Sequence, residues 1–320
     1  MTTPHAERVL QSIESPRASA RSSVAASWRR CFVKHQLDPN DKTLRAEADS
    51  RRLAERRDAL GRLLHVAEPR LEDLYRMIGH CGRGIFLTDD EGLILSERIG
   101  ASDRTAFGEW GLMTGSDWSE AAQGTNGIGT CIEEGRPLII HRDQHYLPSN
   151  TAMSCIDAPV FGPDGRLIAA LDVSSARMDQ TEGFNQLIGA MVTKVAAQIE
   201  TDLFREVHSG HRILLAGEDD AAVLLAVDRD DIVVGATRAA RRRFELERED
   251  RVRPRALREL TGEDARGLEG AERAAMIRAL TRTEGNVSAA ARDLGIGRAT
   301  LYRRMKRLGI SENMRDLSQG

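Results

Sequence analysis

The spacing of apolar residues changes from helical to alternating and back along this chain, and the changes divide it. Residues 17–36, RASARSSVAASWRRCFVKHQ, read as a helix that LDPND then breaks. Over 50–80, Leu53, Leu60, Leu63, Leu64, Leu71 and Leu74 recur on shared faces, which predicts one long helical stretch. At Gly84 the period shortens: GIFLTDDEGLILSERI is two apolar runs around an Asp-Asp-Glu-Gly turn, a hairpin. SEAAQGTNGIGTCIEEG opens as a helix and carries Gly124, Gly127 and Gly129. PLIIH reads as a short strand, and APVFGPDGRLIAALDVSS as a second hairpin turned by Gly-Pro-Asp-Gly. From Asp179 to about His208 the helical period returns, with Phe184, Leu187, Ile188, Met191, Val195 and Ile199 at helical spacing. Helix, antiparallel strands with an inserted helix, then helix again predict an α+β unit of sensor size.

Residues 213–235 hold two apolar runs around Asp-Arg-Asp-Asp, followed by a helical ATRAARRRFELE. A charged stretch comes next, and a helix is predicted from Leu268 to about Arg282. Asn286 or Ser288 then caps a helix that runs to Leu294, with Ala290, Ala291 and Leu294 inward. Gly295 supplies a tight turn. Arg298–Leu308 forms a last helix whose Leu301, Met305 and Leu308 repeat at i, i+4 and i+7. Two short helices around a glycine turn match helix-turn-helix geometry.

Charge changes the picture at that end. The chain has a formal net charge of −3, yet Gly297–Leu308 carries Arg298, Arg303, Arg304, Lys306 and Arg307 with no acid. Binding to nucleic acid depends on charge gathered on one face, so the local excess outweighs the total. An amphipathic helical hairpin with a solvated charged face is the bland alternative. A hydrophobic content of 41% indicates a folded chain. The four cysteines (Cys31, Cys81, Cys131, Cys155) are scattered without CxxC spacing, so neither a zinc ribbon nor a disulfide framework is indicated. With no signal-peptide core and no apolar run of membrane-span length, the expected setting is cytoplasmic, with no membrane partner.

GN, SAAARDLGI and RATLYRRMKRLGI resemble the DNA-binding domain of Fis and of Fis-type regulators. The resemblance implies a dimer whose second helix enters the major groove of double-stranded DNA. Carried over by position, it makes Arg298, Thr300, Tyr302, Arg303, Arg304 and Lys306 candidate contacts, and Arg307 joins them by its charge. Arg298, at the helix start, suits a base edge, whereas Arg304, Lys306 and Arg307 suit phosphates. Upstream, SWRRC, LDPND, GSDWSEAAQGTNGIGT, EEGRPLIIHRDQHYLPSN and CIDAPVFGPDGRLIAALDVSS are similar to the acetoin-operon activator type of bacterial enhancer-binding regulator. That likeness implies a GAF sensor domain, and the 209–250 segment looks like part of a PAS-like module.

One departure matters. Such activators carry an AAA+ ATPase that remodels sigma-54 polymerase, and its phosphate loop needs Gly-Lys-Ser/Thr. Lysine occurs only at 34, 42, 194 and 306, never after a glycine, and no stretch between 208 and 268 has room for that domain. The expectation is a chain without ATPase activity.

A GAF sensor encloses its ligand between the sheet and flanking helices. The candidate pocket residues are Phe86, Trp118, Ile128, Cys131, Ile139, His141, Tyr146 and Cys155, each of which also fits an ordinary core position. His141, His145, Cys155 and Asp157 include metal-ligand types, but their spacing fits no closed zinc motif, so neither a metal nor a cofactor is expected. Cys155 as an oxidation sensor would need an exposed thiol of lowered pKa.

The reading is an N-terminal helical segment (1–69), a GAF-like domain (70–208), a partial PAS-like module (209–250), a charged linker (251–267) and an all-α Fis-type helix-turn-helix domain (268–320). The expected function is a ligand-responsive transcription regulator: a homodimer that binds double-stranded DNA and a small-molecule effector and is able to contact RNA polymerase. The alternative is a Fis-like architectural protein with a vestigial or assembly-only sensor. No paired carboxylates, Ser-His-Asp grouping or nucleotide loop supports an enzyme.

Overall fold

A computed structural model describes residues 3–15, 21–41, 50–175, 181–216, 222–248, 250–261, 267–283 and 285–310. The chain forms two compact units, Met1–Pro254 and Arg255–Gly320.

The first unit begins with α1 (Pro4–Glu14) and α2 (Ser23–Val33), capped by the side chains of Thr3 and Ser22. The helix expected over 17–36 is therefore shorter, and 16–20 lie outside the described residues. The single helix expected over 50–80 is two, α3 (Ser50–Ala59) and α4 (Gly61–Ile78), broken at Leu60. Their anchors differ. Helix α3 is largely charged and buries none of its residues; its Arg52 pairs with Glu91 and Asp117, and its Arg56 with Asp89 and Asp90. Helix α4 buries Leu63, Ala67, Leu71, Leu74 and Ile78, one stripe at helical spacing.

Strands β1 (Arg83–Thr88), β2 (Ile94–Arg98), β3 (Leu138–His141), β4 (Ser154–Phe161) and β5 (Leu167–Ser175) form one antiparallel sheet in the order β2-β1-β5-β4-β3. Both predicted hairpins are present. The β4–β5 turn closes with Gly165 at φ +84°, a conformation that favours glycine. Between β2 and β3 lie α5 (Arg104–Glu109), α6 (Glu120–Gln123) and α7 (Gly127–Glu134). After β5 comes α8 (Glu182–Val207), capped by Thr181.

Alternation along the strands gives the sheet two different faces. Ile156, Ala158, Val160, Leu171 and Val173 pack with the stripes of α4 and α8 into the main core. The inward stripe of α8 is Ile188, Val192, Val195, Ala196, Ile199 and Leu203. Phe184 and Leu187, expected on that stripe, are instead 36% and 58% exposed. The other sheet face carries Phe86, Ile94 and Cys155 and meets Phe107, Leu112, Trp118 and Ile128 from the inserted segment, with Met153 from just before β4.

Past α8, the run expected to hold two apolar segments holds three strands, β6 (Arg212–Leu215), β7 (Leu224–Val227) and β8 (Ile232–Ala236), with β7 paired antiparallel to each of the other two. The difference is simple: the first apolar run divides into two strands, with 217–221 between them outside the described residues. Helix α9 (Arg238–Arg243) follows, capped by Thr237. Phe204 of α8 packs with Leu224, Ala226, Ile213 and Val234, which docks this small sheet on the end of that helix. Arg241, 2% exposed, donates to the carbonyls of Ala236, Glu247, Asp250 and Pro163. The Pro163 contact reaches the β4–β5 turn, so one buried guanidinium ties the small sheet to the large one.

The second unit holds α10 (Leu257–Thr261), α11 (Gly267–Arg282), α12 (Val287–Asp293) and α13 (Arg298–Arg307). Met276, Ala279 and Leu280 of α11, Ala290 and Ala291 of α12, and Leu301 and Met305 of α13 form its core with Ile310.

Candidate functional site

In the second unit the turn is built as its residues dictate. The Asn286 carboxamide oxygen accepts the Ala289 amide at 3.1 Å and caps α12, and Gly295 takes φ +67°. With Leu301 and Met305 buried, the remaining sides of α13 are its charged ones. Arg298, Arg303, Lys306 and Arg307 are exposed, and Thr300, Tyr302 and Arg304 half-buried. The guanidinium of Arg298 lies 5.5 Å from the centroid of the Tyr302 ring, one turn on, which steadies a long side chain at the helix start. Arg304 pairs with Glu272 of α11 at 2.9 Å, and Arg307 pairs with the same carboxylate. The five cations among the seven predicted contacts thus fall into two sets. Arg298, Arg303 and Lys306 face solvent with no carboxylate partner among the described residues, and Arg304 and Arg307 share one acid. Glu272 lies outside the set the sequence singles out; the only signal was an acid on the preceding helix.

In the first unit, Phe86, Trp118, Ile128 and Cys155 come together on the inserted-helix face of the sheet. Cys131 of α7 is buried as well. Ile139 packs on the opposite face, against the α4–α8 core. Tyr146 packs with Val9, Trp28 and Cys31 of the N-terminal helices and donates its hydroxyl to the Leu37 carbonyl at 2.6 Å. His141, half-buried at the end of β3, contacts the Ser154 hydroxyl at 2.9 Å. Burial first, then Arg142, lowers its pKa.

The same face brings together two carboxylates whose pairing the sequence does not reveal. Asp157 on β4 and Asp172 on β5 are cross-strand partners, 1% and 0% exposed. Helix α7 starts directly over them: a Cβ built on Gly127 would stand 2.0 Å from an Asp157 oxygen, so only glycine fits there. Ser174 donates to one Asp172 oxygen at 3.1 Å; among the described residues the other Asp172 oxygen and those of Asp157 have only each other to bond. Burial pushes Asp157 well above the usual carboxylate range, and Asp172 adds to it. Burial likewise lifts Asp172 to about 7, against the Ser174 hydroxyl and Arg83. Two adjacent buried carboxylates cannot both ionise, so the pair holds a proton. The signal in the sequence was an aspartate inside each of two apolar strand runs.

Cys155 is no reactive thiolate, because burial drives its pKa well up. His145 Nδ1 contacts the Arg142 carbonyl at 2.8 Å and donates to it, leaving Nε2 to accept from the Cys155 thiol at 3.3 Å. Among the described residues, no three His, Cys, Asp or Glu side chains converge as a metal-ligand group.

The runs that carried the upstream resemblance meet one another. Arg30, in SWRRC, grips Glu120 with two hydrogen bonds of 2.7 and 2.9 Å and reaches Glu134 at 3.1 Å. Ser27 donates to Glu120 at 2.6 Å and contacts the Thr125 hydroxyl at 2.6 Å. The Trp28 indole donates to the Gln144 carbonyl at 2.8 Å. Asn126 caps α7 through Gly129 and donates to the carbonyls of Trp118 and Gly124, so its role is to hold this loop.

The fold and the basic helix together define a class: a chain that joins a GAF domain to a Fis-type helix-turn-helix. Residues 62–203 match the GAF domain family, and residues 267–308 match the bacterial regulatory protein, Fis family. The chain is 30% identical over 230 residues to the acetoin catabolism regulatory protein of Cupriavidus necator, covering 70% of this chain and 34% of that one. It is 28% identical over 184 residues to the propane 2-monooxygenase operon transcriptional activator MimR of Mycolicibacterium smegmatis, covering 57% of this chain and 30% of that one. The chain thus spans about a third of the length of these curated relatives. It shares its fold with a chain in the crystal structure of the E. coli DhaR(N)-DhaL complex, at a TM-score of 0.52 and 19% identity, covering 74% of this chain and 80% of that chain. No helix among the described residues is long and apolar enough to cross a membrane.

Proposed function

We propose that this chain is a ligand-responsive, dimeric DNA-binding regulator that acts in the cytoplasm without ATPase activity. The observation that carries the reading is α13: its Leu301 and Met305 are buried, and Arg298, Arg303 and Lys306 stand exposed without an ion pair among the described residues. Such a helix fits the major groove, with Arg298 toward a base edge and the other cations toward phosphates. Two copies in a dimer present two such helices, which need a spacing of about 34 Å to reach successive major grooves. Without a Gly-Lys-Ser/Thr loop between sensor and helix-turn-helix, the output is occupancy of an operator, with or without a contact to RNA polymerase.

Ligand sensing draws on the inserted-helix face of the GAF sheet, where Asp157 and Asp172 are buried side by side and, apart from each other and Ser174, have no hydrogen-bond partner among the described residues. The effector that fits is small and polar enough to bond a protonated carboxyl pair. A second reading, an architectural DNA-binding protein, draws on the same face. Phe86, Phe107, Trp118, Ile128, Met153 and Cys155 already fill it.

Binding of the full chain to a selected operator and to random DNA, with and without candidate alcohols and ketones, tests both. Arg298→Ala is expected to cost about 1–3 kcal/mol on the operator and much less on random DNA. Equal losses would assign Arg298 to the backbone. An operator affinity that no small polar molecule alters, together with an unshifted melting temperature, would favour the architectural reading.

A further inference from the structure

A cleft of about 360 Å³ opens between the C-terminal half of α8, the far end of β4 with its turn, and α9 of the small sheet. Its size falls within the roughly 300–1,000 Å³ of small-molecule sites. It is separate from the Trp118 and Cys155 face, and neither the resemblance nor the effector reading above involves it.

Its walls are mostly apolar, with Phe161, Phe204, Pro159 and Ala197 among them; a few threonines and three charged residues, Arg238, Arg242 and Glu200, interrupt them. The Arg238 guanidinium lies 3.6 Å from the centroid of the Phe161 ring, which fixes it against the wall. Neither Arg238 nor Arg242 forms an ion pair among the described residues. Burial and then the neighbouring Arg242 hold Arg238 below the usual guanidinium range, and Glu200 offsets this only in part. Across the cleft, one Glu200 oxygen accepts the Phe161 amide at 2.9 Å, and the other makes no hydrogen bond among the described residues. Burial lifts this carboxyl to about 7, against the Phe161 amide and both arginines. A carboxyl in that range can carry a proton and donate it to an anion beside it, whereas an ordinary ionised glutamate would repel one.

We propose that this cleft binds a small organic carboxylate on a short apolar body, its oxygens held by Arg238 and Arg242 and its body against Phe161 and Phe204. Apolar walls favour an organic anion over inorganic phosphate, whose greater charge would remain unsolvated there. The ligand would touch both α8 and α9, and so would strengthen the docking that Arg241 and Phe204 already provide. The cleft is thus placed to pass a second signal toward the C-terminal half of the chain.

Calorimetric titration of the full chain with benzoate tests the proposal, alongside benzyl alcohol as the uncharged isostere and inorganic phosphate at matched ionic strength. Saturable binding of benzoate is expected, at least about tenfold tighter than either control. Arg242→Gln changes an exposed residue and Ala197→Phe plugs the cleft without removing charge; each is expected to weaken benzoate by about tenfold or more while the circular dichroism spectrum is retained. Absence of saturable binding by benzoate up to about 10 mM, phosphate binding as tight as benzoate, or benzoate binding that survives both substitutions would overturn it.

Discussion

Arg30 and Arg303 have the same side chain and opposite fates. Arg30, in the sensor unit, spends its donors on Glu120, 2% exposed, and on Glu134, and its partners hold it more firmly protonated than a free guanidinium. Arg303, on α13, is exposed, and among the described residues it has no acid to hold it. Around Arg30 the first unit satisfies its charges internally, whereas α13 displays three of its five cations. A charge satisfied inside the protein acts on stability, whereas a displayed charge acts on a partner. Arg304 and Arg307, which share Glu272, stand between the two cases.

The comparison breaks most easily at the buried end. Arg30→Ala leaves the Glu120 carboxylate without its cation, so a loss of about 3 kcal/mol in unfolding free energy is expected in chemical denaturation, with DNA affinity of the folded protein unchanged. A neutral result would mean that water replaces Arg30 and that the seam between α2 and α6 is not structural.

The paired aspartates predict a smaller effect, spread over pH. Asp172 is lifted to about 7 in the folded chain, above its unfolded value of about 3.9, so the folded state binds the extra proton. Its contribution is fully present below about pH 4 and is lost as the pH rises through about 7. Glu200, also lifted to about 7, acts in the same direction. The melting temperature is expected to fall between about pH 5 and pH 8, and Asp172→Asn should shrink that fall without abolishing it. An unchanged slope in the variant would show that Asp172 is already ionised in the native protein.

The smallest effect belongs to the intermediate pair. Glu272→Gln releases Arg304 and Arg307 while keeping the size of the side chain. The exposed ion pairs are worth about 0.2–1 kcal/mol each, so stability should change little. Affinity for random DNA should rise a few-fold, and the salt dependence of binding should steepen if the released guanidiniums reach phosphates. A flat response would remove Arg304 and Arg307 from the DNA-facing set.

Local chemistry made much of this molecule legible. The Asp-Asp-Glu-Gly and Gly-Pro-Asp-Gly turns, the capping Asn286, the glycine at 295 and the Leu301–Met305 stripe each act within a few residues, and each appears where its chemistry requires. The same is true of the uncompensated charge on α13, because a basic run without acids stays basic however the helix docks. Pairings between distant residues were not legible. Nothing near Arg30 announces Glu120 ninety positions away, and no local pattern sets Asp157 opposite Asp172 or Glu200 beside the Phe161 amide. The break at Leu60 belongs here too, since it follows from where Arg52, Arg56 and the α4 stripe each find partners. By itself the amino-acid order determined the elements, the two kinds of domain and the basic recognition helix, because propensity, capping and periodicity are short-range. Only the tertiary structure decided which charges are neutralised and which stay available, because strand register and helix docking bring together side chains that are far apart along the chain, and a charge buried without a partner is too costly to leave that choice to chance.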